Sequence, residues 1–231
     1  MNNISISKRV ISIFVVMTLL FALCLPAFAA ESSYNPVSRE VGFESLTKEE
    51  YIQLVMERTG KSRNEIINEL NAAQEAILEK YGVQESSPPI TQYAFDTTAS
   101  EYIGNGVTMF YGYVYFIDTY ANSFQIRSEC PASYAQHHYG ASFSSVETSG
   151  AQLHAASSGQ WVLESVSCQA TQSSSTTVRI QYSAVIDVVK SVDESIGADL
   201  EFFHVTGSES SDTHLRQHVS HSNSYTLPAS A

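Results

Sequence analysis

Period-two alternation downstream of a double proline predicts a mainly β fold: an antiparallel β-sandwich or barrel-like domain preceded by an N-terminal α-helical hairpin. Three observations carry this expectation. Val107–Asp118 and Thr177–Val188 alternate their side chains between two faces at the strand period. Lys and Arg nearly vanish after Ile90, leaving Arg127, Arg179, Lys190 and Arg216, while Ser, Thr, Tyr and Val rise. Upstream, Thr47-Lys48-Glu49-Glu50 and Ser62-Arg63-Asn64-Glu65 are capping boxes, each followed by apolar residues at helical spacing.

Residues 1–29 read as an address rather than structure. Lys8 and Arg9 precede an apolar run from Val10 to Leu25, then Pro26 and Ala27-Phe28-Ala29, with cleavage expected between Ala29 and Ala30. As a helix the run would be about 24 Å long, short of the roughly 30 Å hydrocarbon core, which opposes a retained anchor. Lipidation at Cys24 fits poorly, because Leu23 stands where a small residue is needed. This leader resembles those of bacterial exported proteins and implies a secreted, extracellular product. Cleavage after Ala29 would leave 202 residues. Losing Lys8 and Arg9 while keeping all 24 acids moves the formal charge from −12 to −14. So acidic a chain is repelled by nucleic acid and by anionic lipid. No later segment is long and apolar enough to span a membrane.

Residues 30–45 are polar, carry Pro36 and Gly42, and show no lasting period, so they are expected to be a mobile leader. The helical hairpin occupies 46–82. Leu46 can staple onto Tyr51; Ile52, Val55 and Met56 form one apolar face, and Gly60 stops the first helix. Ile66, Ile67, Leu70, Ala73, Ile77, Leu78 and Tyr81 line the second, which ends at Gly82, while Glu65, Asn68, Glu69, Glu75 and Glu79 face away. Like charges at Glu65/Glu69 and Glu75/Glu79 oppose that helix, so its stability must come from burying the stripe. Residues 83–89 are a linker, since Pro88-Pro89 stops helix and central strand alike. The β domain spans 90–231. In Val107–Asp118, Phe110, Gly112, Val114 and Phe116 share one face, and Met109, Tyr111, Tyr113, Tyr115 and Ile117 the other. In Thr177–Val188 the faces are Val178, Ile180, Tyr182, Ala184, Ile186, Val188 against Thr177, Arg179, Gln181, Ser183, Val185, Asp187. Shorter strand candidates are Asn122–Ser128, Ala151–Ala155, Gln160–Ala170 and Leu200–Thr206. Polar outward faces without intervening helices point to antiparallel pairing.

Cys130 and Cys168 are an even pair in an exported chain and predict a disulfide. Closing their loop would stabilise the fold by about 4 kcal/mol in the chain-entropy model. A catalytic thiol would need a paired histidine, which no motif supplies. Four of seven histidines lie near the C-terminus: His204, His214, His218 and His221. On a helix His214, His218 and His221 would share a face and could hold zinc, with Asp212 or Glu209 completing the shell. On a strand His221 is separated, leaving His214, His218 and His204 as candidate ligands; the alternative is a loose polar tail. His137-His138 reads as an exposed loop that gains charge below about pH 6.5.

Tyr111, Tyr113 and Tyr115 form a strip about 13 Å long, suited to a sugar or peptide, or to packing beneath the helices. Trp161 is expected in the core. Asp187, Asp193, Glu194, Asp199 and Glu201 surround Gly197, but D-E-S-I-G-A-D does not match a calcium-binding loop, so calcium is an alternative to a solvated hairpin tip. There is no G-x-S-x-G elbow, Walker loop or Rossmann glycine pattern.

The expected function is therefore a secreted, non-catalytic binding protein for an extracellular protein, peptide or cell-wall glycan. The tyrosine face or the helical stripe would be its contact surface. A zinc-dependent hydrolase using the C-terminal histidines is the second expectation. A toxin or antimicrobial released from a pro-segment at 30–89 is the third.

Overall fold

The computed structural model describes residues 34–82, 99–121, 123–159, 161–191, 202, 204–209 and 212–228. The expected export signal with its Ala29/Ala30 junction, the expected 83–89 linker and the acidic residues 193–201 lie outside the described residues. In chain order the elements are β1 (Ser38–Leu46), α1 (Lys48–Thr59), α2 (Arg63–Tyr81), β2 (Ser100–Gly104), β3 (Val107–Tyr120), β4 (Phe124–His137) and β5 (Gly140–Val146). A 3-10 turn (Thr148–Gly150) then leads to β6 (Gln152–Ala155), β7 (Trp161–Gln172), β8 (Thr177–Ser191), β9 (His204–Glu209) and β10 (Asp212–Thr226).

The molecule is mainly β, and every strand pairing is antiparallel. A closed barrel is overturned, because the strands form two separate sheets. The larger is built on β3 and β4, whose long pairing runs from Thr108↔Gln136 to Tyr120↔Phe124. Each central strand carries two shorter neighbours end to end on its far side, β1 and β2 on β3, β5 and β6 on β4. The second sheet has the order β7-β8-β10-β9. Asn105 (φ 51°) and Gly106 (φ 75°) join β2 to β3, and positive φ at both central residues is what a tight hairpin turn requires.

Residues 38–45, expected as part of a mobile leader, are instead strand β1, paired with β3 from Ser38↔Thr119 to Leu46↔Tyr111. Its local signal is weak because it is an edge strand, largely exposed. Gly112 makes the close pairing possible: a Cβ there would sit 1.9 Å from the Glu44 carbonyl oxygen.

The apolar faces of the two sheets bury one another. Val114, Phe116, Cys130, Ala132 and Phe143 meet Val178, Ile180 and Leu227; farther along, Tyr120, Phe124 and Ile126 meet Tyr182, Ala184, Ile186 and Trp161. The helices lie on the opposite face of the larger sheet. Tyr51, Ile52, Val55, Ile66, Leu70 and Ile77 cover Val107, Met109, Tyr111 and Ala135. Thr47 and Ser62 cap the helix starts with reciprocal bonds to Glu50 and Glu65, and Gly60 (φ 73°) ends α1 in the left-handed region. Among the described residues no helix is long and apolar enough to cross a membrane.

Leu70 is 2% exposed at the centre of the helix–sheet contact. Leu70→Ala is expected to lower stability by about 2–5 kcal/mol, read as a lower urea midpoint at unchanged slope.

Candidate functional site

The first arrangement to test for chemistry is a serine beside a histidine. Antiparallel pairing of β4 with β5 brings Ser142 Oγ to 3.1 Å from His137 Nε2, both residues buried. His137 stacks on Tyr81 at the end of α2, with ring centroids 3.8 Å apart, so it is not in the exposed loop expected for His137-His138. The Tyr139 backbone N–H donates to His137 Nδ1 at 3.3 Å, which makes Nδ1 the bare nitrogen and leaves the proton on Nε2. His137 therefore donates to Ser142 rather than accepting from it, and Ser142 donates onward to the Tyr81 hydroxyl. A nucleophile needs the opposite tautomer. Burial, then the charge of Lys80, lowers the His137 pKa and keeps the ring neutral.

A second cluster joins the two sheets around Asp118, which is fully buried. Its carboxylate accepts from Arg39 Nε at 2.6 Å, Tyr182 Oη at 2.6 Å and Asn223 Nδ2 at 2.8 Å. Tyr182 gives its only proton to Asp118, so Tyr120, 2.8 Å away, must be the donor to Tyr182. Burial pushes Tyr120 up to about 12 and Tyr182 higher still. Arg39 also reaches His221 Nε2; a guanidinium only donates, so that nitrogen is bare. Burial and then Arg39 lower the His221 pKa. The Asp118 oxygens are filled by donors, and no polarised nucleophile results.

The tyrosine row is occupied by the molecule itself. Tyr111 is 1% exposed, its hydroxyl donating to Glu101 at 2.6 Å and accepting from Gln74 at 2.7 Å. Tyr113 and Tyr115 are half-buried, with the Arg127 guanidinium 5.2 and 4.6 Å from their ring centroids. Tyr115 lies close over Gly42, where a Cβ would come within 2.8 Å of it. Arg127 also pairs with Glu44 and with buried Glu129, which Arg58 of α1 holds from the other side.

The C-terminal histidines do not sit on a loose tail. His214, His218 and His221 lie on β10, paired with β8, and His204 lies on β9. Strand alternation turns Leu215, Gln217, Val219, His221 and Asn223 inward and His214, Arg216 and His218 outward. His214 and His218 are roughly 13 Å apart along the strand, whereas zinc ligands stand about 2 Å from their ion. His214 Nδ1 instead lies 3.1 Å from Asp187, which Arg216 also bonds. The register places His204 opposite Arg216. Among the described residues no group of three or more His, Cys, Asp or Glu is placed to hold a metal.

The expected disulfide is absent: Cys130 and Cys168 are free thiols. Both belong to the core between the sheets, yet their sulfurs are committed to backbone carbonyls, Cys130 to Glu147 and Cys168 to Gln152, each at 3.4 Å. Burial pushes Cys130 far up and Cys168 up to about 11, so neither is a thiolate nucleophile.

What remains is the outer face of the smaller sheet. The helices cover the other sheet, and this face is open among the described residues. Register aligns Ser167, Ser183 and Ser220 across β7, β8 and β10, then Gln169, Gln181 and Ser222, then Thr171, Arg179 and Ser224, with Thr177 beside Thr226. Eight of these eleven side chains are exposed and three half-buried, so the array faces solvent. Arg179 is its only charge, held by Ser222 at 2.7 Å. At one end Glu164 and Asp187 are both paired by Arg216. The sequence carried the signal as S-x-S-x-S at 220–224 and as the polar phase of β8, but the alignment of rows needs the register.

Comparison with family models, curated proteins and solved structures gave no match. Two stability tests follow from the buried groups. Asp118→Ala strands the Tyr182 hydroxyl and Asn223 amide and is expected to cost about 3–5 kcal/mol in chemical denaturation. The lowered His137 pKa makes the unfolded chain bind its proton first, so this stability is complete above about pH 6.5 and declines as pH falls below it. The fall in urea midpoint between about pH 7 and pH 5 is expected to be smaller in His137→Gln than in the parent.

Proposed function

We propose that the chain is a secreted, non-catalytic binding protein whose contact surface is the Ser/Thr/Gln face of β7, β8 and β10. The observation that carries this reading is the contrast between the two outer sheet faces. One is roofed by α1, α2 and the Arg127 network; the other presents an ordered, exposed polar array. The helical stripe packs on Tyr111, and Tyr113 and Tyr115 are engaged by Arg127, so the surfaces first expected to bind leave little to offer a partner. The Ser142–His137 tautomer and the raised thiol pKa values of Cys130 and Cys168 speak for a non-catalytic role. The architecture in this reading is a two-sheet sandwich with one covered and one presenting face. Export rests on the leader.

Release of a β-only product from a pro-segment fits poorly. Removal of residues 38–81 would strip β1 from β3 and uncover Val107, Met109 and Tyr111.

The test is a surface-binding measurement on immobilised protein against fractionated cell-envelope glycans, peptides and extracellular proteins. At least one fraction is expected to bind, with the response reduced about tenfold or more by Gln181→Glu combined with Ser183→Glu, charges at the centre of the face. A response unmoved by that pair, but abolished by Tyr113→Ala, would reassign the contact surface. Turnover of ester, peptide or glycoside substrates by the purified protein would refute the non-catalytic role.

A further inference from the structure

We propose that this face takes a neutral, hydroxyl-rich polysaccharide laid across β7, β8 and β10; the inference rests on the contact surface assigned above and names its ligand class. The first support is charge. The chain carries a formal −12, so an anionic polymer is repelled. A cationic partner would seek carboxylates, and the array from Ser167, Ser183 and Ser220 to Thr177 and Thr226 contains none. The nearest, Glu164 and Asp187, are already paired with Arg216 at 3.2 and 3.1 Å. The Arg179 guanidinium is engaged by Ser222.

The second support is hydrogen-bonding character. Serine and threonine hydroxyls both donate and accept, and a glutamine amide does the same through separate atoms. Sugar hydroxyls have the same dual character. A peptide strand would instead seek a sheet edge, where backbone N–H and C=O groups point outward in line.

The third support is repetition. Aligned positions recur roughly every 4.8 Å across the strands and about every 6.7 Å along them, so a chain crossing the face meets similar groups at each step. No Phe, Tyr or Trp stands among these rows, so each sugar is held only by solvent-exposed hydrogen bonds, which are individually weak. Binding therefore depends on chain length, and a polymer is retained where a monosaccharide is not.

Native affinity electrophoresis of the purified chain in gels cast with soluble neutral polymers (hydroxyethylcellulose, galactomannan, dextran) tests this. Polygalacturonate and chitosan supply the anionic and cationic arms. At least one neutral polymer is expected to retard the protein, and the monosaccharide of that polymer is not expected to compete. Gln169→Ala with Gln181→Ala is expected to weaken the retardation about tenfold, the loss of a few exposed hydrogen bonds. Tyr139→Ser, at the exposed β4–β5 turn, serves as the control and leaves it unchanged. Both glutamines are exposed, so circular dichroism of the double variant should match the parent. The proposal is overturned if no neutral polymer retards the chain, or if the double variant migrates like the parent in that polymer. Retardation by chitosan or polygalacturonate alone, sensitive to the glutamine pair, overturns the ligand class and leaves the contact face standing. Binding of envelope fractions that ignores Gln181→Glu with Ser183→Glu overturns both.

Discussion

A single buried carboxylate fixes how the two sheets meet. Asp118 points inward from β3 and receives bonds from β1, β8 and β10 through Arg39, Tyr182 and Asn223. A charge with no exposed surface is tolerable only when its lone pairs are filled, and here they are filled by groups from both sheets. The consequence is geometric. A one-residue slip of β1 would turn Arg39 to the opposite face, and a slip of β10 would do the same to Asn223. Apolar burial alone would accept several ways of laying one sheet on the other; this cluster selects one. It also explains how β10 can carry His221 and Asn223 on its inner side.

The strands with a clean apolar phase were legible in the sequence, and those whose burial is polar were not. β8 shows its alternation openly, and the two faces expected for Thr177–Val188 are the two faces observed. β10 offers only Leu215, Val219 and Tyr225 as apolar inward markers, and the groups that justify His221 and Asn223 lie on β1 and β3, far away in the chain. The strand pattern of β4 is legible only to Ser128. Arg127 and Glu129 break the pattern because they serve a charge network on the outer face, and Pro131 looks like a strand terminator. Pro131 in fact sits opposite the gap between β6, which pairs up to Glu129, and β5, which pairs from Ala132. A central strand can lack an N–H where no neighbour on that side requires one. Asn105-Gly106, by contrast, was a readable hairpin signal that the alternation of β3 overshadowed.

The same division holds for candidate sites. Residue types in the sequence pointed to tyrosines, histidines and cysteines, each reactive or adhesive in the right setting. Their settings are tertiary. Tyr111 is roofed by α1 and α2, His137 is stacked and given the wrong tautomer by Tyr139, and the two thiols bond to the backbone carbonyls of Glu147 and Gln152. Serine and glutamine, common enough to be overlooked, become an ordered surface only when three strands align them.

The edge of the smaller sheet bears on how that surface meets a partner. β7 is an edge strand, and a regular one would invite another strand to pair with it. Its pairing with β8 instead shifts between Glu164 and Ser167, with Ser165 held at φ 50° and Val166 turned outward, 47% exposed. A bulge of this kind twists the edge and breaks the row of backbone groups a new strand would follow. Beyond the bulge, the β7 edge runs beside β6, where Cys168 bonds the Gln152 carbonyl. Growth by strand addition is thereby discouraged along β7, while its pairing with β8 stays regular from Ser167 to Thr171. An edge made unsuitable for pairing next to a face left open directs association to side chains rather than backbone, which is the mode a polar array serves.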